Sequence, residues 1–333
     1  MRSSALAEAF LGNDNEVLFV VRQLTEALEV MLENKGMKVL RLSPENELFS
    51  KCSRSDESDY ASWLGVSQEH DFSEVAELVC DLSVDCMIID HYGIGDVWEA
   101  QAREIFPLLI AVDDLIGRTH RCDIVIDPNV PRNSLPFSGP QFASIRSEFI
   151  ALREQAQVRD CLKSVLVFFG GADIRKVTHQ VVELLIAQQH RLSDIEIVVV
   201  VGAATPDISV LQRYASQGKI TLHIQTPHMA ELMLNADLML TTASSVNWER
   251  CTLGLPALLT TVAENQTPIL EYSLEHGTAE KLIIGEELVC RLEQWIASSD
   301  ELSAMSRAAF SVCDGNGAAR VVDVVESEFR RIA

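Results

Sequence analysis

Short apolar runs alternate with helix-length segments along this chain, and this alternation is what most constrains its fold. In the first half the runs include Val17 to Val21, Cys86 to Asp90 and Leu108 to Val112, and a helical pattern follows the first two of them. Apolar runs of this length between helices are typical of buried parallel strands joined by helical crossovers. The pattern predicts an α/β fold with a parallel, doubly wound sheet.

The alternation begins again after a segment rich in Pro, Asn and Ser at residues 128–140. The second series includes the runs Ser164 to Phe169 and Leu238 to Leu240. With 333 residues and 47% hydrophobic content, the chain can bury two cores. We therefore expect two Rossmann-like domains that face each other across a cleft, the first at residues 1–150 and the second at residues 151–333.

Composition excludes several classes of partner. A formal net charge of -22 argues against non-specific binding to nucleic acid and to anionic membrane surfaces. No apolar run is long enough to predict a membrane span. The eight cysteines form no C-x-x-C pair, and we interpret them as reduced thiols of a cytoplasmic protein. The oligomeric state stays open.

The stretch from Leu238 to Pro256 has the pattern of a buried strand, a loop of small residues and a helix. We expect the helix to begin near Val246, with Ser244 or Ser245 as its N-cap. Unpaired N–H groups at such a helix start suit a phosphate. Glu249, about one turn further on, could accept hydrogen bonds from a ribose. Taken alone, this stretch favours an ordinary strand–helix turn with Glu249 on the solvated face.

Two further pairs of residues are candidates for ligand contacts in the second domain. Gly170 and Gly171 follow an apolar run and precede a helix, and glycine allows a backbone to approach a phosphate closely. The same pair is common in ordinary turns. Asn265 and Gln266 could contact a sugar or a phosphate, or could cap the helix that they begin.

Polar residues also follow the apolar runs of the first domain. His91 and Tyr92 could form a site loop or a hydrogen-bonded structural turn. Asp113 and Asp114 could bind a metal ion, but the spacing places no third carboxylate or His beside them. We therefore predict no metal and no other cofactor. The segment from Asp127 to Asn129 predicts an Asx turn.

Taken in order, these motifs resemble the UDP-2,4-diacetamido-2,4,6-trideoxy-β-L-altropyranose hydrolases of pseudaminic acid biosynthesis, a family of the GT-B nucleotide-sugar superfamily. Each motif is weak alone, but the ordered set is specific because it runs nearly from end to end. The matching stretches are Asp90-His91-Tyr92-Gly93, Val112-Asp113-Asp114-Leu115, Cys122-Asp123-Ile124-Val125-Ile126-Asp127, Gly139-Pro140-Gln141-Phe142-Ala143 with Arg146, Phe169-Gly170-Gly171-Ala172-Asp173, Trp248-Glu249-Arg250-Cys251, Leu253-Gly254-Leu255-Pro256, Glu264-Asn265-Gln266, and Asp314-Gly315-Asn316-Gly317-Ala318 with Arg320.

The resemblance implies that a UDP-sugar is bound in the interdomain cleft. It also implies that water attacks the anomeric carbon while UDP leaves, which requires stabilisation of the diphosphate and a general base. The implied roles are ribose binding by Glu249, diphosphate binding by Gly170, Gly171, Ser244 and Ser245, sugar or phosphate contacts by Asn265 and Gln266, and a sugar contact by Tyr92.

The chain departs from the family pattern at two places. The family's general-base His lies on a Gly-rich loop after a first strand, whereas this sequence begins at the helix that follows, Met1 to Phe10. We expect the first domain to lack that central strand, which leaves a gap unless the sheet closes up. Tyr92 and His91 are then the catalytic candidates. The family also carries glycines where Ala243 and Ser244 stand.

Three functions follow as competing hypotheses. The leading hypothesis is hydrolysis of a UDP-diacetamido-trideoxyhexose to the free sugar and UDP in nonulosonic acid biosynthesis. The chain would then be either a hydrolase impaired by the missing general base or a fragment of a hydrolase whose true start lies upstream. The second is a GT-B glycosyltransferase that uses a UDP-sugar donor. The third is a non-catalytic UDP-sugar-binding paralogue, which predicts binding that is lost on Glu249→Ala and no turnover.

Overall fold

The computed structural model describes residues 2–44 and 60–332, and it divides into two compact units. Unit 1 comprises Met1–Ser144 with Asn316–Ala333, and unit 2 comprises Ile145–Gly315. The boundary between the units falls after Ser144, near the predicted boundary at residue 150. The division also differs from the prediction because the C-terminal segment returns to unit 1. Its helix packs there against the helix at the start of the chain.

The strands of unit 1 form two separate parallel sheets in the residues that the structure describes. The smaller sheet pairs β1 (Leu18–Val21) with β2 (Lys38–Arg41). The larger sheet has the order β3 (Cys86–Ile89), β4 (Leu108–Val112), β5 (Ile124–Asp127) and β6 (Phe137–Ser138). The sheet is therefore interrupted between β1 and β3, in agreement with the gap that we expected, and it has not closed up.

Helices hold the two sheets of unit 1 together. They are α1 (Arg2–Leu11), α2 (Glu26–Asn34), α3 (Gln68–Val79), α4 (Asp96–Ala102) and, at the end of the chain, α13 (Gly317–Ile332). From α1, Leu6 packs with Leu108 and Val321 over the larger sheet, whereas Ala7 packs with Leu32 beside the smaller one. Helix α1 therefore joins both apolar clusters, which makes it the element that connects the two sheets on this face.

Unit 2 contains one continuous sheet of six parallel strands in the order β12-β11-β10-β7-β8-β9. The strands are β7 (Ser164–Phe168), β8 (Glu196–Val201), β9 (Thr221–Ile224), β10 (Leu238–Thr242), β11 (Ala257–Thr260) and β12 (Ala279–Lys281). The helices are α5 (Ser147–Leu152), α6 (Val177–Ala187), α7 (Ile208–Ser216), α8 (Met229–Asn235), α9 (Val246–Thr252), α10 (Thr267–Glu275), α11 (Glu286–Ala297) and α12 (Asp300–Val312). The α/β class predicted from the sequence is confirmed in both units.

The chain reverses its direction of travel across the sheet of unit 2 at the boundary between β7 and β10. From β7 it moves outward through β8 and β9, and it then returns to build β10, β11 and β12 on the other side. Ligands of such sheets bind beside this switch point, at the carboxyl ends of the strands. Among the described residues, the helices include none whose length and apolar character would suffice to cross a bilayer.

Candidate functional site

The loops that follow β7, β10 and β11 lie at one edge of the sheet of unit 2. The ladders place Thr241 opposite Phe168 and Thr242 opposite Thr260, so these adjacent strands end at the same level. The structure therefore brings to one edge the loops that carry Gly170, Gly171, Ser244, Ser245, Asn265 and Gln266, and the helix that carries Glu249.

The loop after β7 is open on its outer side. Gly170 has a φ of +95°, and a Cβ added to Gly170 or to Gly171 would meet no heavy atom within 4 Å. On the inner side the packing is tight, since a Cβ on Gly202 would lie 2.0 Å from the carbonyl oxygen of Gly171. The loop thus packs closely against Gly202 on its inner side and leaves room for a ligand beside its backbone on the outer side.

Asp173 caps the helix that follows this loop. Its carboxylate accepts hydrogen bonds from the backbone N–H groups of Val177 at 3.0 Å and Thr178 at 2.8 Å. Two of the amides at the start of α6 are therefore already satisfied by a negative charge. A phosphate bound at this loop would instead contact the backbone of Gly170 and Gly171.

The loop after β10 is held by hydrogen bonds of both its backbone and its side chains. The N–H of the buried Ala243 donates to the carbonyl of Thr260 at 2.9 Å, and the hydroxyl of Thr242 donates to that of Ser244 at 3.3 Å. Ser245 occupies the N-cap position of α9, as predicted, but its side chain makes no capping hydrogen bond. The exposed hydroxyl of Ser245 is thus not used to stabilise the helix.

The central polar contact of this edge is a bidentate ion pair between Arg146 and Glu249. Arg146 Nε lies 2.6 Å from Glu249 Oε1, and Nη2 lies 3.0 Å from Oε2. Burial raises the pKa of Glu249, and the guanidinium of Arg146 opposes that effect. The Glu249 side chain is only 13% exposed, so the solvated-face alternative does not describe it. The sequence resemblance included Arg146 but assigned it no role.

Asn265 and Gln266 lie in a 3₁₀ turn that precedes α10. Gln266 Oε1 accepts a hydrogen bond from the N–H of Val262 at 2.8 Å, so this side chain supports the local backbone. Gln266 stands at the N-cap position of α10, but its side chain makes no capping hydrogen bond, so its ligand contact stays a prediction. Asn265 is exposed, and its ligand contact stays a prediction.

The catalytic candidates of unit 1 are engaged as hydrogen-bonded groups. His91 Nδ1 accepts the N–H of Gly93 at 3.0 Å, which leaves the ring proton of a neutral imidazole on Nε2. Burial lowers the pKa of His91. The Tyr92 hydroxyl donates to Asp114 at 2.5 Å, and burial raises the pKa of Tyr92. In this arrangement His91 accepts at Nδ1 and the Tyr92 hydroxyl donates, and the catalytic roles of both groups stay predictions.

The aspartates at the strand ends of unit 1 form two ion-pair networks. Asp90 accepts from Arg2 Nη2 at 2.6 Å, and the same guanidinium contacts Asp114 at 3.4 Å. Asp113 is paired with Arg118 at 2.7 Å. The neighbouring carboxylates Asp113 and Asp114 thus belong to different networks.

The predicted Asx turn after β5 is confirmed. Asp127 Oδ1 accepts the N–H of Asn129 at 2.9 Å, and Arg132 Nε lies 2.6 Å from Asp127 Oδ2. Burial raises the pKa of Asp127 to about 6, although Arg132 and the turn amide oppose this effect. Asp127 is therefore a structural group of this turn.

Comparison with known proteins gives relatives at low identity. No protein-family model matches the chain. It is 25% identical over 74% of its length to an uncharacterized protein of Methanocaldococcus jannaschii, covering 49% of that protein. It is 24% identical over 61% of its length to the spore coat polysaccharide biosynthesis protein SpsG of Bacillus subtilis, covering 61% of it. It is 26% identical over 52% of its length to a UDP-2,4-diacetamido-2,4,6-trideoxy-beta-L-altropyranose hydrolase of Campylobacter jejuni, covering 65% of it.

The matches thus span between half and two thirds of the length of these relatives. The resemblance to the altropyranose hydrolase that the motifs indicated is confirmed as a similarity by this relative.

Solved structures establish the fold. MurG of Acinetobacter baumannii matches with a TM-score of 0.66 at 15% identity, covering 98% of this chain and 95% of that one. A UDP-GlcNAc 2-epimerase from Neisseria meningitidis, solved with UDP-GlcNAc bound, matches with a TM-score of 0.64 at 14% identity and covers 98% of each chain. The chain has a GT-B-like fold of two Rossmann-like units, as predicted.

Proposed function

We propose that the chain binds a UDP-sugar at the β7–β10–β11 edge of unit 2 and hydrolyses the bond between the sugar and the diphosphate. The observation that carries this proposal is the Arg146–Glu249 ion pair beside the glycine and serine loops at the switch point. A relative named as a hydrolase of such a UDP-sugar, at 26% identity, supports the same reaction.

The ion pair equips Glu249 to hold a ribose. A carboxylate offers about four lone-pair positions, and a bidentate guanidinium occupies about half of them. The two hydroxyls of a ribose can take the remaining positions. Burial raises the pKa of Glu249, and the guanidinium of Arg146 opposes that rise. Glu249 then binds the ribose, and Arg146 orients Glu249.

The glycine and serine loops suit the diphosphate. Open space beside Gly170 and Gly171 allows phosphate oxygens to approach the backbone. The hydroxyls of Ser244 and Ser245 can donate to the same group from the neighbouring strand end. Hydrogen-bond donors placed where charge develops on the departing UDP lower the barrier to cleavage of the glycosidic bond.

A second candidate function is binding of a UDP-sugar without turnover. The specific observation that favours it is the hydrogen bond from Gly93 to His91, since a ring protonated at Nε2 donates there and cannot accept a proton from water. Tyr92 likewise donates to Asp114. Hydrolysis would require either a change of the His91 tautomer or a base other than His91 and Tyr92.

The test is calorimetric titration of UDP combined with an assay of UDP release. We expect Glu249→Gln to weaken UDP binding by about tenfold or more, the loss of a charged hydrogen bond. Glu148→Gln is the matched control, because Glu148 also contacts Arg146, at 3.0 Å, but is 36% exposed. Absence of UDP binding to the unmodified protein would refute the proposal.

The assay of UDP release separates the candidate functions. A UDP-diacetamido-trideoxyhexose incubated in water alone releases UDP if the chain is a hydrolase. Release that requires an added acceptor sugar identifies a glycosyltransferase. Binding of the same UDP-sugar with no release under either condition identifies the non-catalytic protein.

A further inference from the structure

We propose that Glu99, His120 and Cys122 of unit 1 bind a divalent transition-metal ion, with zinc as the favoured metal. A carboxylate oxygen, an imidazole nitrogen and the sulfur of these residues all lie within 4.8 Å of one another. Oxygen, nitrogen and thiolate ligands together suit zinc, which binds each of them at about 2.0–2.3 Å. The site is separate from the proposed nucleotide site, because all three residues belong to unit 1.

The fold brings these ligands together from two segments. Glu99 lies in α4 and is completely buried. His120 and Cys122 stand two residues apart in the irregular segment that leads into β5, and the His120 side chain is 8% exposed. The separation of Glu99 from His120 along the chain conceals the set in the sequence, where only the neighbourhood of Asp113 and Asp114 suggests a metal.

Outer contacts already orient two of the ligands. Glu99 Oε2 accepts the N–H of Arg121 at 2.5 Å, which directs Oε1 toward His120 Nδ1, 2.6 Å away. On the other side of the ring, His120 Nε2 lies 3.1 Å from Asp113 Oδ2. A ligating His that donates its second N–H to a carboxylate is the usual arrangement in metal sites.

Carboxylates flank the position of the ion. Both nitrogens of His120 face a carboxylate, Glu99 Oε1 on one side of the ring and Asp113 Oδ2 on the other. An ion bound by Glu99 and His120 would take the place of the hydrogen bond between them. Negatively charged groups on both sides of the ring reduce the cost of burying a divalent cation there.

A cavity lies beside the His120 ring. It has a volume of about 200 Å³ and is bordered by His120 and Asp113 together with Arg118, Val125 and Leu135. Glu99 and Cys122 do not line it, so the cavity reaches the ring of one ligand and not the position of the ion itself. Three protein ligands would leave the fourth position of a tetrahedral ion to water.

The experiment is a titration of the full chain with Co²⁺ after treatment with a chelator. We expect a thiolate-to-cobalt charge-transfer band in the near ultraviolet that saturates near one ion per chain and is abolished by Zn²⁺. Cys122→Ser should remove the band. Cys86→Ser is the matched control, since Cys86 is also a partly buried thiol of unit 1, and it should retain the band.

Asp113→Asn tests the orienting contact separately. Loss of an outer carboxylate weakens metal binding by about 10–100-fold while the thiolate band persists. Circular dichroism of each variant establishes that it is folded. A Co²⁺ titration without a thiolate band, or a band of full intensity in folded Cys122→Ser, would overturn the proposal.

Discussion

The carboxyl edges of the two units use polar residues in different ways. In unit 2 the edge consists of glycine and serine loops with open space beside Gly170 and Gly171. In unit 1 the charged groups at the corresponding edge bind one another, as Arg2 binds Asp90 and His120 binds Glu99. Unit 2 has the Arg146–Glu249 ion pair at this edge and still keeps open space beside its glycines, whereas the interrupted sheet of unit 1 is accompanied by several internal ion pairs.

The largest expected effect concerns the helix that connects the two sheets of unit 1. Leu6→Ala should lower the free energy of unfolding by about 3 kcal/mol, because Leu6 is 6% exposed within the core cluster of α1, β4 and α13. Denaturant unfolding measures the change. Leu28→Ala on α2 is the control, since Leu28 is 39% exposed. Equal losses in both variants would show that α1 does not have this special role.

The next largest effect on stability is expected where Gly202 packs against the loop that follows β7. Gly202→Ala should cost about 2 kcal/mol of stability, because the new Cβ would lie 2.0 Å from the carbonyl of Gly171. Gly171→Ala, whose Cβ meets nothing within 4 Å, should leave thermal unfolding nearly unchanged but weaken UDP binding. If Gly171→Ala unfolds as readily as Gly202→Ala, the loop is a structural element only.

Internal pairing in unit 1 predicts a pH dependence. The carboxylates of Asp113 and Glu99 raise the pKa of His120 to about 9, above the value of about 6.5 in the unfolded chain. The stability that this pairing contributes is therefore full below pH about 6.5 and is lost as the pH rises through about 9. In chelator-treated protein we expect the free energy of unfolding to fall across that window. His120→Gln should abolish this part of the pH dependence, and an unchanged slope would contradict the assignment.

The smallest effect on stability is expected at Ser245. Replacing an N-cap serine usually costs about 1 kcal/mol, but the Ser245 side chain makes no capping hydrogen bond. Ser245→Ala should therefore change the unfolding free energy by less than about 0.5 kcal/mol. A measurable weakening of UDP binding in the same variant would support the diphosphate role. A loss of stability near 1 kcal/mol would indicate a cap instead.

Local sequence patterns predicted the strands and the positions of the loops that follow them. The apolar runs at β4, β7 and β10 predict buried strands because every residue of such a strand is shielded on both faces. The placement of Gly170 and Ser244 at one edge follows from parallel strand direction. These inferences succeed because each depends on neighbouring residues or on a general rule of sheet topology.

Contacts between distant residues could not be predicted in this way. Arg146 and Glu249 stand 103 positions apart, and nothing near either residue specifies the other. The return of α13 to unit 1 depends on the apolar face that α1 presents, which periodicity alone does not assign to a partner. The cluster of Glu99, His120 and Cys122 likewise depends on how α4 packs beside the segment before β5.

Hydrogen–deuterium exchange with and without UDP tests the central proposal most directly, because it locates the nucleotide along the chain. We predict that UDP slows exchange in the loops at residues 170–172 and 243–249 of unit 2. Glu249→Gln should diminish that protection at the same UDP concentration. Protection confined to other segments, or unchanged exchange at saturating UDP, would contradict binding at this edge.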